Sequence, residues 1–293
     1  MSGQALVTRQ DGNSPGVAQQ VASRKLSWFQ IVTAVAWKNF IIKMRTPQTY
    51  IFSFGFPVMF TLMFYFTFGQ METAPGWTVF DTGISGMLIY AASFGTSSAA
   101  TTFAEEKQKG TLVRLDTTPV GRARIFLGSL LSEAVFMVIQ LCIMLVLAYG
   151  VLGLKWHDSN AALLVAGFAI MFIFGLSTIG IGIIISAYAK SVDAAVGMSM
   201  MYIMPVIFLS GSMNPFASEI QYFMPPYWAN ALYRQVVVLG KDFWSGFVQV
   251  TSTNPFVDEY LPVPLWGAFL IIVAILAVTL VAGIKLFQRK TLS

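Results

Sequence analysis

The chain has 293 residues, of which 56% are hydrophobic and 11% charged, and carries a formal net charge of +5 with a mean hydropathy of +0.69. Those values exclude an ordinary water-soluble domain, in which about a quarter of the residues are charged, and describe an integral membrane protein. The single cysteine, Cys142, excludes an intrachain disulfide and reads as a small buried hydrophobe within an apolar run.

Residues 1–24 are polar, rich in Gly, Ser and Gln, and lack the apolar core of a signal peptide, so they are expected to form a mobile cytoplasmic tail. Residues 25–47, "KLSWFQIVTAVAWKNFIIKMRTP", read as an amphipathic interface helix. Ser27, Gln30, Lys38 and Arg45 recur on one polar stripe, while Trp28, Ile31, Val32, Val35, Phe40 and Ile42 fill the remaining surface. Such a helix lies in the plane of the membrane surface, and Pro47 ends it. A passive anchor and a docking surface for a partner both fit it.

Residues 48–293 then form the transmembrane domain. A crossing of about 30 Å of hydrocarbon takes roughly 20 mostly apolar residues. Six segments meet this, at about 50–68, 83–103, 125–152, 161–188, 194–212 and 264–287. The second is crowded with small residues, among them Ala91, Ala92, Ser93, Gly95, Ala99 and Ala100, which allow helices to approach closely. With both termini on the cytoplasmic side, the inner segments hold all Lys and Arg except Lys155, Arg234 and Lys241. This agrees with the positive-inside rule and makes the basic residues topology determinants and anchors to anionic lipid, with no nucleic acid as partner.

The passage between the second and third spans is the most charged in the chain. After residue 103, Glu105, Glu106, Lys107, Gln108 and Lys109 follow with no turn signal, so the helix is expected to run on into the cytoplasm. Gly110 can end it, Thr111 can cap a short helix to about Asp116, and Thr117, Thr118 and Pro119 form a breaker before the chain re-enters the membrane. Glu133, about two turns into the third span, is a costly intramembrane acid. A functional carboxylate is one reading; pairing with a base such as Arg122 or Lys190 is the other. His157 beside Asp158 has no second His or Cys in reach, so no metal site is expected. Residues 215–239 read as two short helices divided by "PPYW", with Phe216, Tyr222, Phe223, Tyr227, Trp228 and Tyr233 in the aromatic belt at the membrane surface. Residues 251–264 read as loop.

"EEKQKGTLVRLDTTPV" at residues 105–120, an acidic pair followed by Gly-Thr-Leu and a Thr-Pro turn, resembles the loop between the second and third spans of type-two ABC permeases. These are the membrane subunits of exporters for drugs, lipids and polysaccharides. The resemblance extends over nearly the whole chain, through "FLSGSMNPF" at 208–216 and "FMPPYWANALYRQVV" at 223–237. "MNP" stands where many relatives carry an aromatic pair before proline, which leaves the substrate class open. The resemblance implies an all-α polytopic membrane protein with six transmembrane helices, the interface helix, and short re-entrant helices between the fifth and sixth spans.

It also implies a coupling helix seated in a groove of a cytoplasmic ABC ATPase subunit, carried over here to Glu105, Glu106, Lys109, Gly110, Thr111 and Leu112. In that family the second and fifth spans line the dimer interface and the translocation path, which nominates Phe94, Met198, Met201, Tyr202 and Phe208 for substrate contact. A homodimer or a heterodimer with a second permease in the inner (plasma) membrane is implied. This chain would bear no cofactor, with ATP and Mg on the partner. "LSGS" at 209–212 resembles an ATPase signature but ends an apolar helix, and no Gly-rich loop closes on Gly-Lys-Ser or Gly-Lys-Thr, so ATP hydrolysis is expected elsewhere.

The function expected is the permease of an ATP-driven exporter for a hydrophobic or amphiphilic substrate. A secondary transporter or a sodium exporter component is the alternative, though a secondary transporter would call for paired broken helices and several buried charges. An intramembrane enzyme would need a nucleophile with a base, or a metal cluster, and one His with one Cys gives neither.

Overall fold

The structure, a computed structural model, describes residues 27–47, 50–69, 71–74, 76–108, 122–212, 219–249 and 260–292. Helix α1 (Trp28–Arg45) starts where the Ser27 amide donates to Gln30 Oε1 at 3.0 Å, half of a capping box. Its last turn carries Lys43 and Arg45, whose charge suits a helix C-terminus. Helix α2 opens with a wide turn at Tyr50–Gly55 and continues as Phe56–Phe68, with Pro57 at the junction, where the ladder is already irregular.

Helix α3 (Val79–Gln108) is 30 residues long, about 45 Å at 1.5 Å per residue, and so overshoots the hydrocarbon thickness. The expected continuation past residue 103 is therefore present. Helix α4 (Arg122–Leu145) is extended by a wide turn at Val146–Val151, and α5 (Ala161–Tyr188) has the expected bounds, with Asn160 capping its first turn. Helix α6 (Val192–Leu209) is capped by the Ser191 hydroxyl, which accepts from the Ala194 amide at 3.1 Å. Helix α7 (Pro225–Tyr233) runs on into a wide turn at Arg234–Val238, and α8 (Leu265–Leu292) closes the fold.

Among the described residues, four helical segments are long and apolar enough to cross a membrane: Arg124–Val151, Ala161–Tyr188, Val192–Leu209 and Leu265–Phe287. Ser53–Phe68 is shorter, and α3 has the length but a composition of small polar residues. Helix α5 lies at the centre, packed between α3 and α8. The small residues of α3 serve that contact: a methyl group on Gly182 of α5 would stand 2.3 Å from the Thr96 carbonyl oxygen, so only glycine lets the backbones meet. Thr178 on α5 donates to the Ala92 carbonyl at 3.0 Å across the same seam.

Several expectations change. The fold is helical but not wholly so, because β1 (Glu72–Ala74) pairs antiparallel with β2 (Trp77–Thr78), and β3 (Phe247–Gln249) with β4 (Tyr260–Pro264). Residues 260–264, expected as loop, form a strand despite Pro262 and Pro264. In a two-stranded sheet every strand is an edge, where a missing N–H is tolerated.

The "PPYW" motif does not divide two helices. Its prolines occupy the first turn of α7, which is preceded by a single 3-10 turn at Glu219–Phe223. Helix α7 is wedged against α5 and α8, so Tyr227 and Tyr233 are wholly buried rather than part of a surface belt, while Phe223 is exposed. The Tyr149 and Tyr233 hydroxyls, 2.9 Å apart, bond to each other there. Cys142 is exposed, on the same outward side of α4 as Leu131, Val135, Ile143 and Val146, a side available to lipid.

Candidate functional site

The groups with the most polar connectivity gather where α1, α3 and α4 meet. Helix α1 lies against α4 by the face that carries Val32, Ala36, Asn39 and Lys43, four residues separated by three to four positions. Gly128 of α4 makes the approach possible: a methyl there would fall 2.6 Å from Val35 Cβ and 2.9 Å from the Val32 carbonyl oxygen. The expected polar stripe of Ser27, Gln30, Lys38 and Arg45 faces away, exposed alongside Trp28, Phe29 and Trp37.

Two polar rungs cross this junction, each with one residue from each of the three helices. In the first, Asn39 Nδ2 of α1 donates to Glu106 Oε1 of α3 at 3.1 Å and to Ser129 Oγ of α4 at 2.8 Å. Ser129 Oγ in turn donates to Glu106 Oε1 at 2.6 Å. All three are buried. In the second, Lys43 Nζ of α1 pairs with Glu133 Oε1 of α4 and donates to Ser98 Oγ of α3 at 2.7 Å, while Ser98 Oγ donates to Glu133 Oε2 at 2.9 Å. The Lys43 ammonium also stands 5.0 Å from the centre of the Phe136 ring, a cation–π distance.

The acid and the hydroxyl exchange helices between the rungs. Glu106 is on α3 and Ser129 on α4, whereas Glu133 is on α4 and Ser98 on α3. One turn of α1 and one of α4 separate the two rungs, so these helices run alongside each other in the same direction. A further polar tie lies deeper, where Gln140 Nε2 of α4 donates to the Ser53 and Ala91 carbonyls, both at 2.9 Å. The partner of Glu133 is not Lys190; the base comes from α1.

Glu106, beyond the apolar part of α3, is turned inward and does not offer its carboxylate to a partner's surface. Burial pushes its carboxyl up from the ordinary range, against the bonds from Ser129 and Asn39 and the field of Lys38, which pull it down. Glu105, its neighbour, is half-buried. Lys107 is neither a loop charge nor a lipid anchor: its Nζ donates to the Ala187 and Ala189 carbonyls at 3.1 and 3.3 Å, capping the C-terminal end of α5. Lys109, Gly110, Thr111 and Leu112 lie outside the described residues.

The five nominated path residues do not converge. Phe94 is buried in an aromatic cluster with Tyr90 (ring centres 5.1 Å apart) and Phe56 (6.0 Å), and Tyr202 packs on the same cluster. Met198, Met201 and Phe208 occupy the other, exposed side of α6. At the start of α3, Asp81 is buried and accepts from the Thr78 hydroxyl at 2.8 Å and the Lys155 amide at 2.8 Å. His157 stands 3.1 Å from Asp158, and among the described residues no three His, Cys, Asp or Glu side chains come together.

Asn39, Lys43, Ser98 and Ser129 escaped the sequence reading. A signal existed for two of them, because Asn39 and Lys43 interrupt the apolar side of α1, opposite its polar stripe. The two serines gave none.

An apolar helical bundle whose charges are drawn into cross-helix bonds defines a polytopic membrane protein. The family model described as ABC-2 type transporter matches residues 30–238, more than half of the chain, and the chain belongs to that family. It is similar to the linearmycin resistance permease protein LnrN of Bacillus subtilis, 26% identical over 207 residues that cover 69% of this chain and 48% of the relative. It is also similar to the probable multidrug ABC transporter permease YbhR of Escherichia coli, 24% identical over 189 residues, 64% of this chain and 47% of the relative. The chain thus spans about half the length of the curated relatives it matches.

Proposed function

We propose that this chain is the membrane-spanning permease of an ATP-driven exporter, with six crossings in the plasma membrane and both termini cytoplasmic. Helices α2 and α3 supply the two crossings beyond the four that length and composition support, and α7 is a short re-entrant helix on the outer side. A cytoplasmic ABC ATPase, carrying ATP and Mg, drives it, and two permease chains form the pathway. The names of the relatives, linearmycin resistance and multidrug transport, favour a drug-like or amphiphilic cargo.

The observation that carries the reading is the charged end of α3. A helix of 30 residues leaves the apolar bundle as one rigid rod, and the two rungs tie it to its neighbours just before residues 109–121. A rod clamped in this way passes a displacement at its end to the spans, whereas a flexible loop would dissipate it. Glu105, Lys109, Gly110, Thr111 and Leu112 form the contact with the ATPase, and Glu106 positions the rod from within.

The test is co-purification of the chain with the ATPase encoded beside it. Glu105→Lys should abolish both the association and the stimulation of ATP hydrolysis, while the permease keeps its wild-type melting temperature. Unchanged association and stimulation would overturn the assignment of the contact.

A further inference from the structure

We infer that α1 is part of the moving body of the transporter, and that Asn39 and Lys43 are the positioning residues that make it so. The inference rests on the exporter reading above. Three observations support it. First, α1 contributes one side chain to each of two rungs, and each rung reaches both helices that flank residues 109–121. Second, these side chains are withdrawn from water: Asn39 is 7% exposed, Glu106 8% and Glu133 2%. In such surroundings a hydrogen-bonded charge pair resists separation, because parting it leaves a buried charge without a partner. Third, the rest of α1 is built to slide, with Trp28, Phe29, Trp37 and Ile42 exposed toward the side where lipid would lie. Such a helix can travel along a lipid boundary while it stays fixed to protein on its other face.

The consequence is a lever of three helices. A push on the loop displaces α1, α3 and α4 together, and α6 and α8, which share neither rung, move relative to them. Lys43 acts through Glu133 and Ser98 and touches no cargo. The second rung is the one that a single substitution can open cleanly, since removing the Lys43 ammonium leaves Glu133 with Ser98 as its remaining partner.

The test uses the full chain together with its co-purifying ATPase in lipid nanodiscs, in a Cys142→Ser background. Spin labels are placed at exposed positions: Trp37 on α1, Leu131 on α4 and Val278 on α8. Distances are measured without nucleotide and with ATP, Mg and vanadate. The Trp37 to Leu131 distance should stay fixed while the Trp37 to Val278 distance shifts. In Lys43→Met the ATPase should still co-purify and hydrolyse ATP, but the Trp37 to Val278 shift should be lost; Lys43→Arg should keep it.

A nucleotide-driven change between Trp37 and Leu131, or a Lys43→Met chain that shifts like the wild type, would overturn the inference and leave the exporter reading standing. A wild-type chain that binds no ATPase would overturn both. The wild-type distances decide the matter even where Lys43→Met fails to fold.

Discussion

In the proposed orientation, the inner and outer ends of the bundle are held together in different ways. At the inner end, α1, α3 and α4 are joined by directional bonds among buried ionisable and polar side chains, with an ion pair at the second rung. At the outer end, α7 is driven between α5 and α8 as a largely apolar wedge, with the hydroxyls of Tyr149 and Tyr233 bonded to each other. Directional bonds fix a register and fail if it changes; a wedge packed by shape tolerates small sliding. The end expected to receive a push is the one whose register is fixed, and the end expected to open is held by contacts that can be remade.

Substitutions can break this contrast or sharpen it. The largest effect is expected at the inner ion pair. Lys43→Met leaves Glu133 buried without its base and should cost about 3–5 kcal/mol, read as a fall in melting temperature in detergent. Replacing both members together with apolar residues should cost much less, and a double-mutant cycle on the two singles measures the coupling between them. Next comes the central seam. Gly182→Ala puts a methyl group against the Thr96 carbonyl and should cost about 1–3 kcal/mol, as overpacking does.

At the outer end the effects should be smaller. Tyr233→Phe removes one hydroxyl and should cost about 1 kcal/mol, with the wedge left in place. Equal losses from Tyr233→Phe and Lys43→Met would erase the distinction between the two ends. Smallest of all, Met201→Ala on the exposed side of α6 should stay within about 0.5 kcal/mol of the wild type in the same melting assay.

The sequence was readable where a single helix decided the outcome. The bounds of α5 followed from an uninterrupted apolar run between Asn160 and Ala189, and the overshoot of α3 from helix-forming residues with no turn signal before Gly110. It was less readable where two helices had to be placed side by side. Glu133 called for a base, and the nearest bases along the chain were poor guides, because Lys43 lies 90 residues away and reaches it through packing at Gly128. The same limit hid the role of Ser98 and Ser129, ordinary small residues until a neighbouring carboxylate makes them donors. Tyr227 and Tyr233 were misplaced for a related reason. An aromatic followed by polar residues looks amphipathic by composition, and only the depth of the groove beside α5 shows that α7 is surrounded on nearly every side.

The pair of rungs has one more implication, which depends on there being two of them. A helix fastened at a single point can still pivot about it, whatever the strength of that bond. Fastened again one turn further on, about 6 Å away, it can no longer roll or swing independently of its neighbours. The crossed placement of acid and hydroxyl on α3 and α4 means that rotating either helix about its own axis would pull both carboxylates off their partners at once. What the junction resists, then, is torque as well as separation. With one rung cut, α1 stays seated at the other but can pivot about it, so a push on α3 and α4 is no longer carried through it.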